Sequence, residues 1–197
     1  MNLSGKSIGF AITGSHCTFS KVIPQLENMV ATGADIIPIM SDPALKSDTK
    51  FGSASEWVNK VKEITDKTII DSIVKAEPIG PGKLLDLLII APCTGNTMAK
   101  IANGIIDETV VMAAKAQLRN DRPVLIAIAT NDGLGLNGKN IGVLLNTENI
   151  FFVPFGQDNP TKKQNSLVAR MDLIKPAAEK ALDKGQLQPV LIEYRGL

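Results

Sequence analysis

Three stretches of this chain carry residue types whose spacing could do chemistry. Thr13-Gly14-Ser15-His16 ends an apolar run and precedes a helical pattern. Small residues at such a turn let backbone N–H groups and a hydroxyl approach a phosphate, and the helix N-terminus behind them adds partial positive charge. The same residues also make an ordinary tight turn with a Ser or Thr cap. Ala91-Pro92-Cys93-Thr94-Gly95-Asn96-Thr97-Met98-Ala99-Lys100 follows the most apolar run of the chain. Thr94, Asn96 and Thr97 set several donors and acceptors ahead of one helix, where a plain N-cap uses a single such residue. The surplus points to a polar ligand. Gly133-Leu134-Gly135-Leu136-Asn137-Gly138 has the G-x-G-x-x-G spacing between a strand and a helix, with Asp158 beyond the next strand as a ribose partner. A nicotinamide-binding enzyme is therefore a second reading. A short helix and a late strand weigh against it.

Single residues add less. His16, the sole histidine, stands beside the first turn, where it fits a cofactor contact, a general acid or a satisfied structural imidazole. Cys17 and Cys93 fall near strand ends with no base identifiable nearby, and read as buried thiols rather than nucleophiles. Trp57 reads as a core or interface anchor. Lys75 and Glu77 read as a solvated pair unless a substrate site lies there. No Cys/His cluster has metal spacing, so no metal is expected.

These residues need elements to position them. With 197 residues and 44% hydrophobic content, the chain suffices for one domain with a sizeable core, expected over 1–197 with a C-terminal helix and tail. Short apolar runs alternate with helical patterns. Ser7–Ile12, Asp35–Met40, Leu84–Ala91, Val124–Ala129 and Ile150–Phe155 read as strands, and Ile69–Val74 as a weaker extended run. Phe19–Thr32, Ala54–Thr65, Thr97–Gly104, Asp107–Asn120 and Lys139–Thr147 read as helices. Asn165–Lys184 reads as one long amphipathic helix, Ser41–Gly52 as irregular, and the tail Gln188–Tyr194 as apolar enough to pair with a neighbour. Strand–helix alternation of this kind predicts an α/β fold with a doubly wound parallel sheet, whose ligands bind beyond the strand C-termini.

Composition excludes several classes. Lys+Arg number 21 and Asp+Glu 20, for a net charge of +1, which argues against a nucleic-acid binder. Two cysteines make a disulfide framework improbable and fit a reducing cytosol. The N-terminus, Met1–Lys6, runs straight into a strand without a signal pattern, and the apolar runs fall well short of the ~20 residues a membrane span needs. A cytoplasmic protein is expected, with no membrane partner.

At Thr13-Gly14-Ser15 and Ala91–Lys100, continued by Ile101-Ala102-Asn103-Gly104-Ile105-Ile106-Asp107, the sequence resembles the homo-oligomeric flavin-containing Cys decarboxylase-like flavoproteins. The resemblance implies a Rossmann-like three-layer fold, a homo-oligomer, and FMN contacts at Gly14, Ser15, Thr94, Asn96 and Thr97. It also implies a flavin hydroxyl contact at Ser41. Asn131 falls near the family's Pro-x-Met-Asn substrate motif, although Ala129-Thr130 replaces the usual lead-in. The catalytic histidine of the decarboxylases is missing, and Lys75 stands near its place, so decarboxylation is not implied.

A closer resemblance covers nearly the whole chain. It is carried by Gly14–Thr18, Phe51-Gly52 with Glu56-Trp57-Val58, Asp71–Pro78, Thr130–Gly138, Asn149–Phe152 and Pro154–Asp158. It is to the flavoprotein-type subunits of a two-subunit synthase in endospore-forming bacteria. These act with a separate A subunit, in the mother cell, to turn dihydrodipicolinate into dipicolinate. The implied chemistry is removal of two hydrogens, with FMN as hydride acceptor and NADP, if used, assigned to the A subunit. A non-catalytic partner subunit with a vestigial pocket is the alternative. A small dianionic substrate calls for cations, and Lys75 and Lys100 are the candidates by closeness in sequence to the cofactor loops. His16, Lys75 and Asn131 are the candidates for catalysis.

Overall fold

The computed structural model describes residues 3–194; the first two and last three positions of the expected 1–197 domain lie outside the described residues. The chain opens with β1 (Ser7–Ile12), α1 (Phe19–Val30) and β2 (Asp35–Met40), followed by the short α2 (Asp42–Lys46) and by α3 (Ala54–Thr65). Two single turns, α4 (Ile73–Ala76) and α5 (Ile79–Gly82), lead to β3 (Leu87–Cys93) and the helices α6 (Gly95–Ala102) and α7 (Thr109–Leu118). Then come β4 (Val124–Thr130), α8 (Gly138–Leu145), β5 (Ile150–Phe152), β6 (Phe155–Asn159), β7 (Lys163–Ala169) and α9 (Ile174–Leu182).

The sheet order is β2-β1-β3-β4-β7-β6, with β5 also on β4. Strands β1 to β5 pair parallel, in the order 2-1-3-4-5, as the doubly wound reading requires. The reason is visible in the sequence: all seven residues of β3 and the first six of β4 are buried, so both faces are covered. β4 shares its outer edge. Its first half pairs with β5, while Ala129 and Thr130 pair antiparallel with Val168 and Leu167 of β7.

Right-handed crossovers place α1, which carries the chain from β1 to β2, and α7, which carries it from β3 to β4, on opposite faces. Val22, Ile23, Leu26 and Met29 of α1 are buried, on the stripe the spacing predicts. A capping box between Ser53 and Glu56 starts α3.

Five expectations need correction. Asn165–Lys184 is not one helix: residues 163–169 form β7, and the helix begins only at Ile174. Ile150–Phe155 divides at Val153-Pro154 into β5 and the start of β6. In Ile69–Val74 only Ile70 bridges β2, through Ile39, before the chain turns into α4. Ser41–Gly52 contains α2. The tail pairs with its own chain: Phe155 N donates to Val190 O and Ile192 N to Phe155 O, both at 3.0 Å.

Candidate functional site

From β1 the chain crosses to β2 on one side, and it later returns to β3 on the other. The loops after β1 and β3 therefore diverge at the topological switch point, where sheets of order 2-1-3-4-5 bind their ligands. Here the two loops are tied together by one side chain. Thr13 is buried, its Oγ1 donates to Pro92 O at 2.6 Å, and Thr94 N donates to the same Oγ1 at 3.0 Å. The backbone N–H of Thr13 also reaches Pro92 O, at 3.3 Å. Across the clamp, the Gly14–Ser15 turn and the N-terminus of α6 face the same space.

Each neighbour of the clamp has a local cause. Thr94 is the N-cap of α6: its Oγ1 accepts from Thr97 N at 3.2 Å and lies 3.1 Å from Thr97 Oγ1. Gly14 lies against α2, where a Cβ would come within 2.9 Å of Pro43 Cβ. Gly95 is more confined still, since a Cβ there would meet Asn137 Nδ2 and Thr130 Oγ1 at 2.6 Å. Ser41 N donates to Ile12 O at 3.0 Å, which aligns the end of β2 with the end of β1. The Ser41 hydroxyl is buried and has no hydrogen-bond partner among the described residues.

A cleft of about 460 Å³ opens over these strand ends. Across the sheet its lining runs from Gly14, Ser15 and Lys21, through Thr94 and Gly95, to Thr130–Asp132, and ends on Lys163, Ser166 and Asp158 of the β6–β7 hairpin. A depression of about 520 Å³ between Leu145–Phe152 and Gln186–Val190 is larger, but it lies away from these loops.

Of the residues singled out from sequence, Gly14, Ser15, Thr94 and Asn131 line the cleft. Thr97 stands behind Thr94 and is buried, while Asn96 is exposed on the first turn of α6. His16 lies beside Gly14, its ring 4.9 Å from that of Phe19, and its Nε2 is buried without a hydrogen-bond partner among the described residues. Trp57 packs edge-on against Phe19, as an anchor should.

Three side chains stand apart from their expected surroundings. Lys75 pairs with Asp71 at 2.8 Å on α4, and Lys100 pairs with Asp107 at 2.8 Å; neither lines the cleft. Cys17 is exposed on the cleft rim rather than buried. Cys93 is the buried thiol: burial, helped by the Glu108 carboxylate, drives its pKa far above the ordinary thiol value.

The glycine-rich loop has structural causes of its own. A Cβ on Gly133 would run into Leu167 at 2.7 Å, so this glycine makes room for β7. Asn137 Nδ2 donates to Asp132 Oδ2 and Asn140 Nδ2 to Asn137 Oδ1, both at 2.8 Å, so the polar groups of the loop are used internally. Asp158 pairs with Lys163 at 2.8 Å on the hairpin.

Sequence reasoning missed Lys21, Lys163, Ser166 and Glu108. The first three need the α1 and β7 geometry. Glu108, at the N-cap of α7, has a carboxyl held above its usual range by burial, with Asp107 and Asp42 pushing the same way and Lys100 and the Thr97 hydroxyl opposing. Its Oε1 is buried without a hydrogen-bond partner among the described residues. Among the described residues no group of His, Cys, Asp and Glu could hold a metal ion, and no helix is long and apolar enough to cross a membrane.

Residues 1–181 match the family model described as Flavoprotein. The chain belongs to the flavoprotein family. It is 54% identical over 196 residues to the dipicolinate synthase B subunit of Bacillus subtilis strain 168, covering 99% of this chain and 98% of that one. The crystal structure of the dipicolinate synthase B subunit from Bacillus halodurans is similar throughout: TM-score 0.90, 55% identity, 98% of this chain and 99% of that one. More distantly, the flavoprotein fold is shared with Burkholderia xenovorans DmrB, solved in complex with FMN, at TM-score 0.67 and 16% identity over 90% and 96% of the two chains. At that identity the likeness is one of fold.

Proposed function

We propose that this chain is the flavin-bearing B subunit of a dipicolinate synthase. It binds FMN at Gly14, Ser15, Ser41, Thr94, Asn96 and Thr97, and acts with a separate A subunit to oxidise dihydrodipicolinate to dipicolinate. One observation carries the cofactor reading: the Thr13 clamp joins the Gly14–Ser15 turn to the Thr94 cap beside a Ser41 hydroxyl that is buried and unpartnered. A buried hydroxyl left without a partner costs about 1–3 kcal/mol. A ligand atom at that corner would recover it. The names of the two similar proteins support the reaction class and imply the A subunit.

When bound, FMN supplies a two-electron acceptor able to take a hydride. The chain's own residues hold and orient. The amides of Gly14, and of Gly95 and Asn96 in the first turn of α6, offer N–H donors to anionic oxygens, while those of Ser15 and Thr97 are used within the protein. Asn131, on the rim, offers an amide to the substrate but cannot carry its proton. Removing two hydrogens also releases a proton, and His16, with its unpartnered Nε2 beside Gly14, is the candidate to hold it. The reading includes a homo-oligomer in the cytoplasm of a sporulating mother cell.

A visible absorption titration of the purified chain with FMN tests the cofactor. Uptake near one flavin per chain supports it, and a chain that stays colourless in excess FMN overturns it. Reconstitution with the A subunit tests the role. Turnover that requires FMN supports a redox subunit, and FMN-independent turnover reduces this chain to a structural partner.

A further inference from the structure

The cleft extends well past the flavin loops. β7 runs antiparallel to β4, with Ala129 opposite Val168 and Thr130 opposite Leu167. Residues 163–166 therefore continue beyond the end of β4, and at ~3.3 Å per residue Lys163 stands roughly 13 Å past Thr130. The hairpin makes the far wall of the cleft. From it, Lys163 Nζ donates to Asp158 Oδ2 at 2.8 Å, and Cys17, between β1 and α1, lines the same cleft. Lys21, at the start of α1, lines the same cleft, and among the described residues it has no ion-pair partner. Ser166 Oγ donates to Thr130 O at 3.2 Å and lies 3.5 Å from Asn131 Oδ1, which leaves the Asn131 amide donor turned elsewhere.

Charge in this half of the cleft is arranged, not merely present. The acids are already engaged: Asp132 accepts from Thr130 Oγ1 and Asn137 Nδ2, and Asp158 accepts from Lys163. An ammonium has three N–H donors, and Asp158 takes one of those on Lys163. Two remain, along with all three on Lys21. Two cations on facing walls, with amide and hydroxyl groups between them, suit a small planar dianion and have no comparable use for a neutral ring.

We propose that Lys163 and Lys21 form a dicarboxylate subsite, in which each ammonium takes one carboxylate of a pyridine-2,6-dicarboxylate-type molecule and Asp158 is the positioning residue that aims Lys163. The identity of the ligand rests on the function proposed above. The subsite takes over the role that closeness in sequence gave to Lys75 and Lys100.

The test is calorimetric titration of the full chain, with and without FMN, using dipicolinate and pyridine-2-carboxylate in buffer free of divalent ions. The wild-type chain binds the dicarboxylate more tightly than the monocarboxylate, and added salt weakens the difference. Lys163→Met and Lys21→Met each weaken dicarboxylate binding roughly ten- to hundred-fold, as expected for losing a charge-assisted hydrogen bond, and shrink the preference by a similar factor. Lys163→Arg retains most of it. FMN uptake, read by absorbance, stays unchanged in all three, which shows that they fold. Dicarboxylate affinity within twofold of wild type in both methionine variants overturns the subsite. If the wild-type chain takes up no FMN, the flavin reading fails separately. Dicarboxylate binding by the FMN-free chain then decides the subsite alone, and its absence there overturns it.

Discussion

Replacing Thr13 by valine tests whether the switch point is held by one hydroxyl. Valine matches threonine in shape, so the change opens no cavity and removes only hydrogen bonding. Two contacts go: Oγ1 to Pro92 O at 2.6 Å, and Thr94 N to Oγ1 at 3.0 Å. Their losses are unequal. Pro92 O keeps the Thr13 amide as a donor at 3.3 Å, so its loss is about 1 kcal/mol. Thr94 N has no second acceptor among the described residues, and leaving it unmet costs about 1–3 kcal/mol. Together the change removes roughly 2–4 kcal/mol, which for a chain of this length lowers Tm by roughly 5–15 °C. Because Thr94 caps α6 and holds Thr97, FMN affinity falls as well, by about tenfold. Urea unfolding and FMN titration read the two effects, with Thr13→Ser as the control that keeps the hydroxyl. A loss below about 1 kcal/mol would refute the energetic reasoning. A full loss of stability with flavin affinity within twofold of wild type would refute the link from clamp to site.

Ser41→Ala separates ligand binding from folding: removing an unpartnered buried hydroxyl leaves the FMN-free chain as stable or slightly more so, yet weakens FMN binding about tenfold. A drop in unfolding free energy without ligand would show that the hydroxyl has a structural partner. Gly95→Ala places a Cβ 2.6 Å from Asn137 Nδ2 and Thr130 Oγ1, inside a connected polar network, and destabilises the chain by about 1–3 kcal/mol in urea titration. Glu108→Gln gives a pH signature. Burial raises the folded carboxyl above its usual 4.5, so the wild-type chain loses stability as pH rises from there through the folded value. The variant therefore melts higher than wild type at pH 7.5 and level with it near pH 4, and a gap that widens toward low pH would contradict the assignment.

The parts of the fold that were legible are those where one physical demand dominates the residues. β3 and β4 had to be buried on both faces, and their apolar runs say so. The loops after β1 and β3 needed small residues and hydroxyls, and Thr13–Ser15 and Thr94–Thr97 supply them. The segment 165–184 was misread because Leu167, Val168 and Met171 fit a helical stripe as well as they fit a strand that turns at Arg170. Pro176 was the missed signal. Inside a helix starting at 165 it would break the ladder, but in the first turn of one starting at Ile174 it fits. Missing β7 concealed the far wall of the cleft, and with it Lys163 and Ser166. Lys75 and Lys100 do not line the cleft, because nearness in sequence to a loop says nothing about direction, and each pairs with an acid. The role of Thr13 was half visible: the turn was found, but only the sheet order shows that its hydroxyl spans two loops.

The side chains that reach the cleft also constrain what the protein can contribute to a reaction. They are hydroxyls, amides, ammonium groups, one exposed thiol at Cys17, and the carboxylates of Asp132 and Asp158, both already bonded within the protein. The other thiol, Cys93, is sealed beneath the site and kept protonated by its burial. The only imidazole, His16, sits beside the clamp rather than on the cleft lining. Such a set can bind anions, fix the orientation of a planar ring and hold a proton. Oxidation of a dihydropyridine dicarboxylate asks little more of the protein, provided that the electrons leave through a bound cofactor. The two halves of the cleft divide that work by chemistry: N–H donors at the ends of β1 and β3, and cations on α1 and β7. A flavin held over the first half with a dianion anchored in the second would bring hydride donor and acceptor together by geometry, which is the contribution that well-oriented binding makes to a rate.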